Sequence, residues 1–172
     1  MAGGKSRRLG YDKLTLSFCG LPLAWIAYVK LKKIFPKVHV AVSGQEMDKL
    51  LFLKFLGAEM IETPGLGYPE DVKYLLGLLK RPFLLVASDA LFVKTNQIEE
   101  FLKKAGNKSL AAAVKVNGKT SYVGLNYVFP GSDKDELYFF DDKQLSISIN
   151  VMHDLESVKE WLYRNGCFSL LQ

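Results

Sequence analysis

The chain has 172 residues, of which 49% are hydrophobic and 24% are charged, a balance typical of a globular protein and unlike that of a disordered or fibrous one. This length fits one domain of ordinary size, which can bury a full core without cross-links. The formal net charge of +5 favours an anionic partner, yet no run of lysines and arginines is longer than two residues. We therefore expect a local anion site and no nucleic-acid-binding face.

Cysteine usage and hydropathy exclude further classes of protein. Cys19 and Cys167 lie far apart and form no CxxC pair, so the sequence predicts neither a disulfide framework nor a zinc site and favours a reducing cytoplasm. The longest apolar stretch, LTLSFCGLPLAWIAYVKLKKI, is interrupted by glycine, proline and lysines. We therefore expect no membrane span, and we find no signal peptide ahead of this stretch.

The first half of the chain alternates helical and extended patterns. Apolar residues recur at helical spacing from Pro22 to about Lys33, with proline in the permitted first turn. The valine-rich segment KVHVAVS predicts a strand, after which Ser43 caps a helix, GQEMDKLLFLKFLG, that Gly57 ends. A second unit follows, with AEMIETPG as strand and glycine-rich loop and PEDVKYLLGLLK as helix.

The second half predicts a helix flanked by strands. RPFLLVASDA is a continuous apolar run that ends in Ser88 and Asp89, typical of a parallel strand buried on both faces. The predicted helix NQIEEFLKKAG precedes the extended segments SLAAAVKV, TSYVGLNYVFP, ELYFFDD and LSISIN, and a last helix runs from Asp154 to about Arg164. The order predicts an α/β sheet with an antiparallel element in its second half.

The chain starts with small residues and cations, MAGGKSRRLG. Gly3 and Gly4 let a backbone approach a ligand closely, and Lys5, Arg7 and Arg8 bring positive charge to the same turn, which suits a polyphosphate. A basic, flexible amino terminus is an equally good interpretation of these residues alone. Positions further along the chain must decide between the two.

Two predicted strand ends carry oxygen ligands. Asp89 places a carboxylate at the carboxyl edge of the sheet, where a hard divalent ion can use it, although a helix N-cap is the alternative. Asn150 ends the segment LSISIN and Asp154 begins the last helix, so that one is a candidate second ligand and the other a cap, with the cap favoured for Asp154.

The loop TPGLGYPED is a candidate site for a flat ligand. Gly65 and Gly67 let backbone groups approach a nucleotide base, with Tyr68 alongside, although an ordinary strand-to-helix turn explains the glycines equally well.

A phosphate loop, one carboxylate and a base-sized loop together suit nucleotidyl transfer. That reaction needs charge neutralised on a triphosphate and an acceptor held in line, with little covalent help from side chains.

With these segments in this order, the chain resembles the nucleotidyltransferase family that includes molybdenum-cofactor and sugar-phosphate nucleotidyltransferases. It is most similar to the archaeal-type adenosylcobinamide-phosphate guanylyltransferases, in the segments MAGGKSRRLG, GLGYPEDV, RPFLLVASDA, VGLNYV and SINVMHDLESVKEWL. The resemblance implies a Rossmann-like three-layer α/β fold with a mostly parallel mixed sheet, in a single domain over residues 1–172. Family members carry about five or six apolar residues, one central strand, ahead of the loop. We expect this strand to be missing or truncated before Met1.

The resemblance also implies a reaction, transfer of GMP from GTP to adenosylcobinamide phosphate with release of pyrophosphate. It implies Mg²⁺ as cofactor, a phosphorylated small-molecule acceptor and a cytoplasmic enzyme of cobalamin synthesis. A missing first strand would leave an apolar groove that a second copy of the chain can fill, so a homodimer is one expectation. Two alternatives stay open: a molybdopterin guanylyltransferase and a nucleotide-binding protein without catalysis. The residues carried over are Lys5, Arg8 and Lys13 for catalysis, Ala2, Gly3, Gly4, Gly65, Gly67, Tyr68 and Ser88 for the nucleotide, Asn126 for the acceptor, and Asp89 and Asn150 for the metal.

Overall fold

The computed structural model describes residues 16–132, 135–147, 149 and 152–171. The strands in chain order are β1 (Ser17–Phe18), β2 (Leu21–Pro22), β3 (His39–Ser43), β4 (Glu59–Thr63), β5 (Phe83–Val86), β6 (Leu110–Val116), β7 (Lys119–Val128) and β8 (Glu136–Phe140). The α-helices are α1 (Leu23–Lys32), α2 (Tyr68–Leu79), α3 (Thr95–Ala105) and α4 (Met152–Asn165). Three 3₁₀ helices cover Gly44–Leu56, Lys143–Ser146 and Cys167–Leu171. No helix in these ranges is long and apolar enough to cross a membrane.

The strands form two main sheets and a short hairpin. β3 pairs with β4 in parallel, and the larger sheet has the order β5-β7-β6-β8. β7 runs antiparallel to β5 and to β6, whereas β8 is parallel to β6. β5, β6 and β8 therefore share one direction and β7 alone opposes them within this sheet. The α/β fold with a mixed sheet that the sequence predicts is confirmed, and two of the three neighbouring strand pairs in this sheet are antiparallel.

Helices cover both faces of the strands and complete three layers. On one face, Leu75 of α2 packs with Ala41 of β3 and Leu85 of β5. On the other face, α1 and the 3₁₀ helix Gly44–Leu56 cover the neighbouring β3 residues Val40 and Val42. The alternation of side chains along β3 explains this division, because successive residues of a strand point to opposite faces. The buried residues of α3 belong to the largest core cluster.

An apolar cavity of about 390 Å³ opens between the two main sheets. Its lining includes residues of both β3 and β5, mostly apolar, together with Lys37, His39 and Arg81. In the described part of the chain β3 pairs only with β4 and β5 pairs only with β7, so each strand has a free edge. An unpaired strand edge is a template for a further strand. The cavity therefore has the edges and the lining that an additional apolar strand requires.

A disulfide corrects one expectation from the sequence. Cys19, in the β1–β2 hairpin, is bonded to Cys167 at the start of the last 3₁₀ helix, with their Cα atoms 6.0 Å apart. The prediction of no disulfide is wrong because the two cysteines are 148 positions apart and carry no local motif. Only the packing of the hairpin against the carboxyl-terminal segment brings them together.

Three predicted elements differ in type or pairing. The first residues of LSISIN form a 3₁₀ turn, Lys143–Ser146, because the side chain of Asp142 accepts a hydrogen bond from the backbone nitrogen of Gln144 at 3.0 Å. The segment Gly44–Leu56 is helical and ends at Gly57 as expected, but it is a 3₁₀ helix whose N-cap residue, Ser43, makes no side-chain cap. The strand after Arg81 forms, yet its described pairing is antiparallel.

Candidate active site

A tight turn after β5 carries Ser88 and Asp89. The backbone nitrogen of Ala90 donates to the carbonyl of Ala87 at 3.1 Å, so that Ser88 and Asp89 occupy the two central positions, both half-buried. The Asp89 carboxylate thus lies at the carboxyl end of β5, as the sequence predicts. The alternative role as a helix cap is wrong, because α3 begins at Thr95 with Lys94 at its N-cap.

Gly124 of β7 holds this turn against the sheet. Its carbonyl accepts a hydrogen bond from the backbone nitrogen of Ala87 at 2.8 Å. Gly124 has φ +76°, and a Cβ at this position would lie 2.9 Å from the Cβ of Ala87. A larger residue would push β7 away from the turn. The segment VGLNYV did not indicate this role of its glycine, since contact with a distant turn leaves no local signal.

Lys30 of α1 contacts the segment that follows the Ser88–Asp89 turn, and no sequence pattern pointed to this residue as part of the site. Its Nζ donates to the carbonyls of Leu91 at 2.8 Å and Val93 at 3.0 Å, and the residue is 5% exposed. Burial lowers the pKa of Lys30 to about 8, with a smaller contribution from the positive charge of Lys33. The spacing along α1 did indicate that Lys30 is buried, because it follows the buried Ile26 by one helical turn and so lies on the apolar face of the helix.

The loop between β4 and α2 is fixed by two glycines and a buried carboxylate. The backbone nitrogen of Gly65 donates to Oδ1 of Asp71 at 2.8 Å, and Asp71 is 4% exposed. Gly65 has φ +69°, and a Cβ there would lie 2.8 Å from the Cβ of Ser43 at the end of β3. Gly67 has φ +129° and forms the N-cap of α2. Both glycines are therefore required by the backbone, and the loop lies against the carboxyl end of β3.

Tyr68 and Asn126 connect this loop to the larger sheet. Nδ2 of Asn126 donates to the Tyr68 hydroxyl at 2.8 Å, and Asn126 pairs with Leu85 of β5. Burial raises the pKa of Tyr68, and the negative charge of Asp135 adds to the effect. The phenol therefore stays neutral at physiological pH and keeps one O–H hydrogen to donate. The family resemblance implies that Tyr68 lies near the base and Asn126 near the acceptor, and the structure brings the two side chains into contact.

These groups share one edge of the fold. The Ser88–Asp89 turn is attached to β7 at Gly124, and the Tyr68 loop is attached to β7 at Asn126. Gly124 and Asn126 are two positions apart on β7, so the two attachments are close to each other along this strand. Seven predicted site residues lie outside the described ranges: Ala2, Gly3, Gly4, Lys5, Arg8, Lys13 and Asn150.

The described residues fit a magnesium ion held mainly by its nucleotide. They contain no group of three or more histidine, cysteine or acidic side chains that could hold a metal. Mg²⁺ usually takes one or two protein carboxylates together with substrate phosphates and water. The half-buried Asp89 carboxylate can supply the protein ligand in such a site. Asp154 lies in the first turn of α4, which begins at Met152, two residues ahead of the start that the sequence predicts.

The chain is similar to known nucleotidyltransferases over nearly its full length. The family described as MobA-like NTP transferase domain matches residues 1–169. An adenosylcobinamide-phosphate guanylyltransferase of Methanocaldococcus jannaschii is 27% identical over 192 aligned positions, which cover 96% of this chain and 97% of that protein.

Two solved structures share the fold. The molybdopterin-guanine dinucleotide biosynthesis protein A of Archaeoglobus fulgidus has a TM-score of 0.67 at 22% identity, over 95% of this chain and 100% of that one. A 4-diphosphocytidyl-2C-methyl-D-erythritol synthase of Anaerococcus prevotii has a TM-score of 0.68 at 10% identity, over 88% and 93% of the two chains. Because the family model matches nearly the whole chain, the chain belongs to the MobA-like NTP transferase domain family and is a nucleotidyltransferase.

Proposed function

We propose that residues 1–172 form a single nucleotidyltransferase domain that transfers GMP from GTP to adenosylcobinamide phosphate and releases pyrophosphate. The similarity to the Methanocaldococcus guanylyltransferase over 96% of the chain supports this acceptor. The observation that carries the reaction class is the common attachment of the Asp89 turn and the Tyr68 loop to β7. This common attachment supports a shared nucleotide site between the Asp89 turn and the Tyr68 loop.

The phosphate end of GTP is assigned to the opening loop and to the turn after β5. Main-chain groups of residues 2–4 would contact the phosphates, and Lys5, Arg8 and Lys13 would neutralise their charge. Asp89 and Asn150 would hold Mg²⁺. The bound ion would neutralise negative charge on the triphosphate and on the leaving pyrophosphate. The acceptor phosphate oxygen attacks the α-phosphorus in line, a P–O bond to it forms, and the bond to the pyrophosphate breaks.

The base end of GTP is assigned to the β4–α2 loop. Gly67 has no side chain, so that a planar base can lie against its backbone. Gly65 lets the loop pack closely against Ser43, and we assign it a place near the base through the backbone of the same loop. The neutral Tyr68 hydroxyl can donate a hydrogen bond, while its contact with Asn126 fixes its orientation. Ser88 lies next to the metal-binding carboxylate, where we assign it to the ribose. We assign Asn126, which donates to the Tyr68 hydroxyl, to the acceptor side.

Two other functions make different predictions. Molybdopterin as acceptor is favoured by the structural similarity to the Archaeoglobus protein, which is named for molybdopterin-guanine dinucleotide biosynthesis. A nucleotide-binding protein without turnover would bind GTP with heat but release no pyrophosphate. We place the enzyme in the cytoplasm, and we expect it to be a homodimer.

The test is a pyrophosphate-release assay with GTP and Mg²⁺ and with each acceptor in turn. Adenosylcobinamide phosphate should give turnover, and molybdopterin should give none. Lys5→Ala and Asp89→Ala should each lower kcat/KM at least about 100-fold, because each removes charge stabilisation of the transition state. Asp48→Ala, at an exposed acidic residue of a 3₁₀ helix, is the matched control and should keep full activity. Full activity of both site variants would overturn the proposal.

A further inference from the structure

Lys30 is a buried cation for which the proposed reaction has no direct use. The residue is 5% exposed, and its neighbours on α1, such as Ile26, belong to the hydrophobic core. Burying an ammonium group is costly unless it is paired or hydrogen-bonded. An apolar side chain of similar length would fill this position at lower cost. The two hydrogen bonds that Lys30 makes must therefore account for its presence there.

Both bonds go to the segment between β5 and α3. The acceptors are the carbonyls of Leu91 and Val93, at 2.8 Å and 3.0 Å from Nζ. Leu91 and Val93 are buried, and they lie in a connection without regular secondary structure. Buried backbone carbonyls in such a segment need a partner, because no helix or sheet ladder supplies one. Lys30 thus fixes the backbone of this connection from inside the core.

The fixed segment begins directly after the carboxylate assigned to the metal. Leu91 follows Asp89 by two positions, and Lys30 shares the lining of one small cavity with Ser88 and Ala90. This cavity measures about 10 Å³, about the lower limit for holding one water molecule. Water therefore has little room to replace the ammonium group. Loss of the lysine would leave the carbonyls without partners and free the turn to shift.

We propose that Lys30 is a positioning residue, which holds the 88–93 segment from the core side and thereby places the Asp89 carboxylate for the metal–nucleotide complex. This inference rests on the proposed function, because it takes Asp89 as the metal ligand. Lys30 acts only through the backbone of the segment and does not touch the substrate. Its removal should weaken metal binding only while Asp89 can act as a ligand. A side chain that only supports folding would not show this dependence.

The experiment is a double-mutant cycle that measures Mn²⁺ affinity in the presence of GTP, by electron paramagnetic resonance of free Mn²⁺. The variants are Lys30→Met, which removes both hydrogen bonds, and Asp89→Asn, singly and together. Lys30→Gln keeps a donor group, its amide NH₂, and replaces Lys30→Met in the cycle if Lys30→Met does not fold. Lys32→Met is the matched control, because Lys32 on the same helix donates to a backbone carbonyl, that of Pro36, at an exposed position. Melting curves fix a temperature at which each variant is folded.

We expect Lys30→Met to weaken Mn²⁺ binding about 10-fold, the usual effect of removing a group that orients a metal ligand. Lys30→Gln should lose less, and Lys32→Met should bind as the unmodified chain does. In the Asp89→Asn background, Lys30→Met should change the affinity less than about twofold, because coupled sites are not additive. An equal 10-fold loss in both backgrounds, or no loss in either, overturns the role of Lys30. Unchanged Mn²⁺ affinity in Asp89→Asn alone instead overturns the metal assignment of the proposed function.

Discussion

At the residue scale, the buried ammonium of Lys30 predicts how stability depends on pH. Burial lowers its pKa from 10.5 to about 8. Between these two values the unfolded chain binds more protons than the folded chain, so the free energy of unfolding rises with pH. The neutral amine still has two hydrogens for the carbonyls of Leu91 and Val93, so both hydrogen bonds survive deprotonation.

The expected gain is about 2 kcal/mol between pH values of about 7.5 and 9.5. Urea unfolding measures it, with Lys30→Met as the reference, since the other titrating groups contribute equally to both proteins. The difference in unfolding free energy between the two should grow over this range in favour of the unmodified chain. A constant difference would mean that Lys30 keeps an ordinary pKa in the folded protein.

The contact between Tyr68 and Asn126 predicts a second residue-scale effect. Tyr68→Phe removes the acceptor that Asn126 uses at 2.8 Å and also removes a hydroxyl near the assigned base. We expect a rise in KM for GTP of about 10-fold with a smaller change in kcat, because the lost contact serves binding more than the reacting phosphate. Steady-state kinetics separate the two constants.

Tyr74→Phe is the matched control, because Tyr74 lies on the same helix with an exposed side chain. It should leave both constants unchanged. A fall in kcat at constant KM in Tyr68→Phe would assign Tyr68 to the chemical step, contrary to the base-binding role.

The site residues that sequence patterns indicate differ in kind from the site residues that those patterns miss. Gly65, Gly67 and Tyr68 lie in one short stretch, and Asp89 ends a strand, so a local pattern marks each of them. Gly124 and Lys30 act through partners that are distant in the sequence. Lys30 and Leu91 are 61 positions apart, for example. Such partners are defined by packing and not by spacing, and one sequence alone does not contain them.

At the element scale, the close approach of β7 to the turn after β5 depends on Gly124. Gly124→Ala would strain a backbone at φ +76° and place a Cβ 2.9 Å from that of Ala87. Gly118→Ala is a matched control, because Gly118 has the same φ of +76° with nothing within 4 Å of its Cβ position. The difference between the two variants therefore isolates the steric contact from the backbone strain.

We expect Gly124→Ala to lower kcat/KM at least about 10-fold, whereas Gly118→Ala keeps nearly full activity. Gly124→Ala should also lower the free energy of unfolding by about 2 kcal/mol more than Gly118→Ala does, which is within the usual range for overpacking. Activity assays and urea unfolding of both variants give the two numbers. Equal losses in the two variants would show that the approach of β7 does not position the turn.

Periodicity predicted the elements more reliably than their pairing. The last helix was expected from Asp154 to about Arg164, and α4 covers Met152–Asn165. The apolar run before Ser88 gave a strand, but its antiparallel neighbour, β7, lies about 40 residues further on. The turn at Lys143–Ser146 was missed because the cap by Asp142 outweighs the alternating pattern that follows it. Strand propensity is a weak guide where a side chain fixes a turn.

At the scale of the whole molecule, the Cys19–Cys167 disulfide joins the two ends of the described chain. It links the β1–β2 hairpin to the last 3₁₀ helix, which also contacts α1 through the Lys33 hydrogen bond to the carbonyl of Leu171. The disulfide fastens the segment that precedes α1, and the Lys33 bond fastens the residue that follows it, to the last 3₁₀ helix. The geometry of α1 thus depends on the carboxyl-terminal segment on one side and, through Lys30, on the Asp89 turn on the other.

The two main sheets predict that the fold accepts one further strand. β3 and β5 each have a free edge in the described structure, and both line the apolar cavity of about 390 Å³. A strand that is buried on both faces between parallel neighbours needs a continuous apolar sequence. Such a strand would satisfy both edges and join the sheets into one. The expectation of a central strand ahead of the opening loop remains a prediction, and it can be tested by adding one.

The test fuses five residues, Val-Ile-Val-Ile-Val, to the amino terminus, with a Gly-Ser segment of equal length as the control. If the apolar segment enters the cavity, the melting temperature should rise by about 5 °C relative to the control, as expected for a gain of about 1–2 kcal/mol in a chain of this size. Hydrogen exchange supplies an independent measurement, because the backbone amides of β3 and β5 should become protected only in the apolar fusion. Equal melting temperatures and equal exchange in the two fusions would show that the space between the sheets does not accept a strand from this end of the chain.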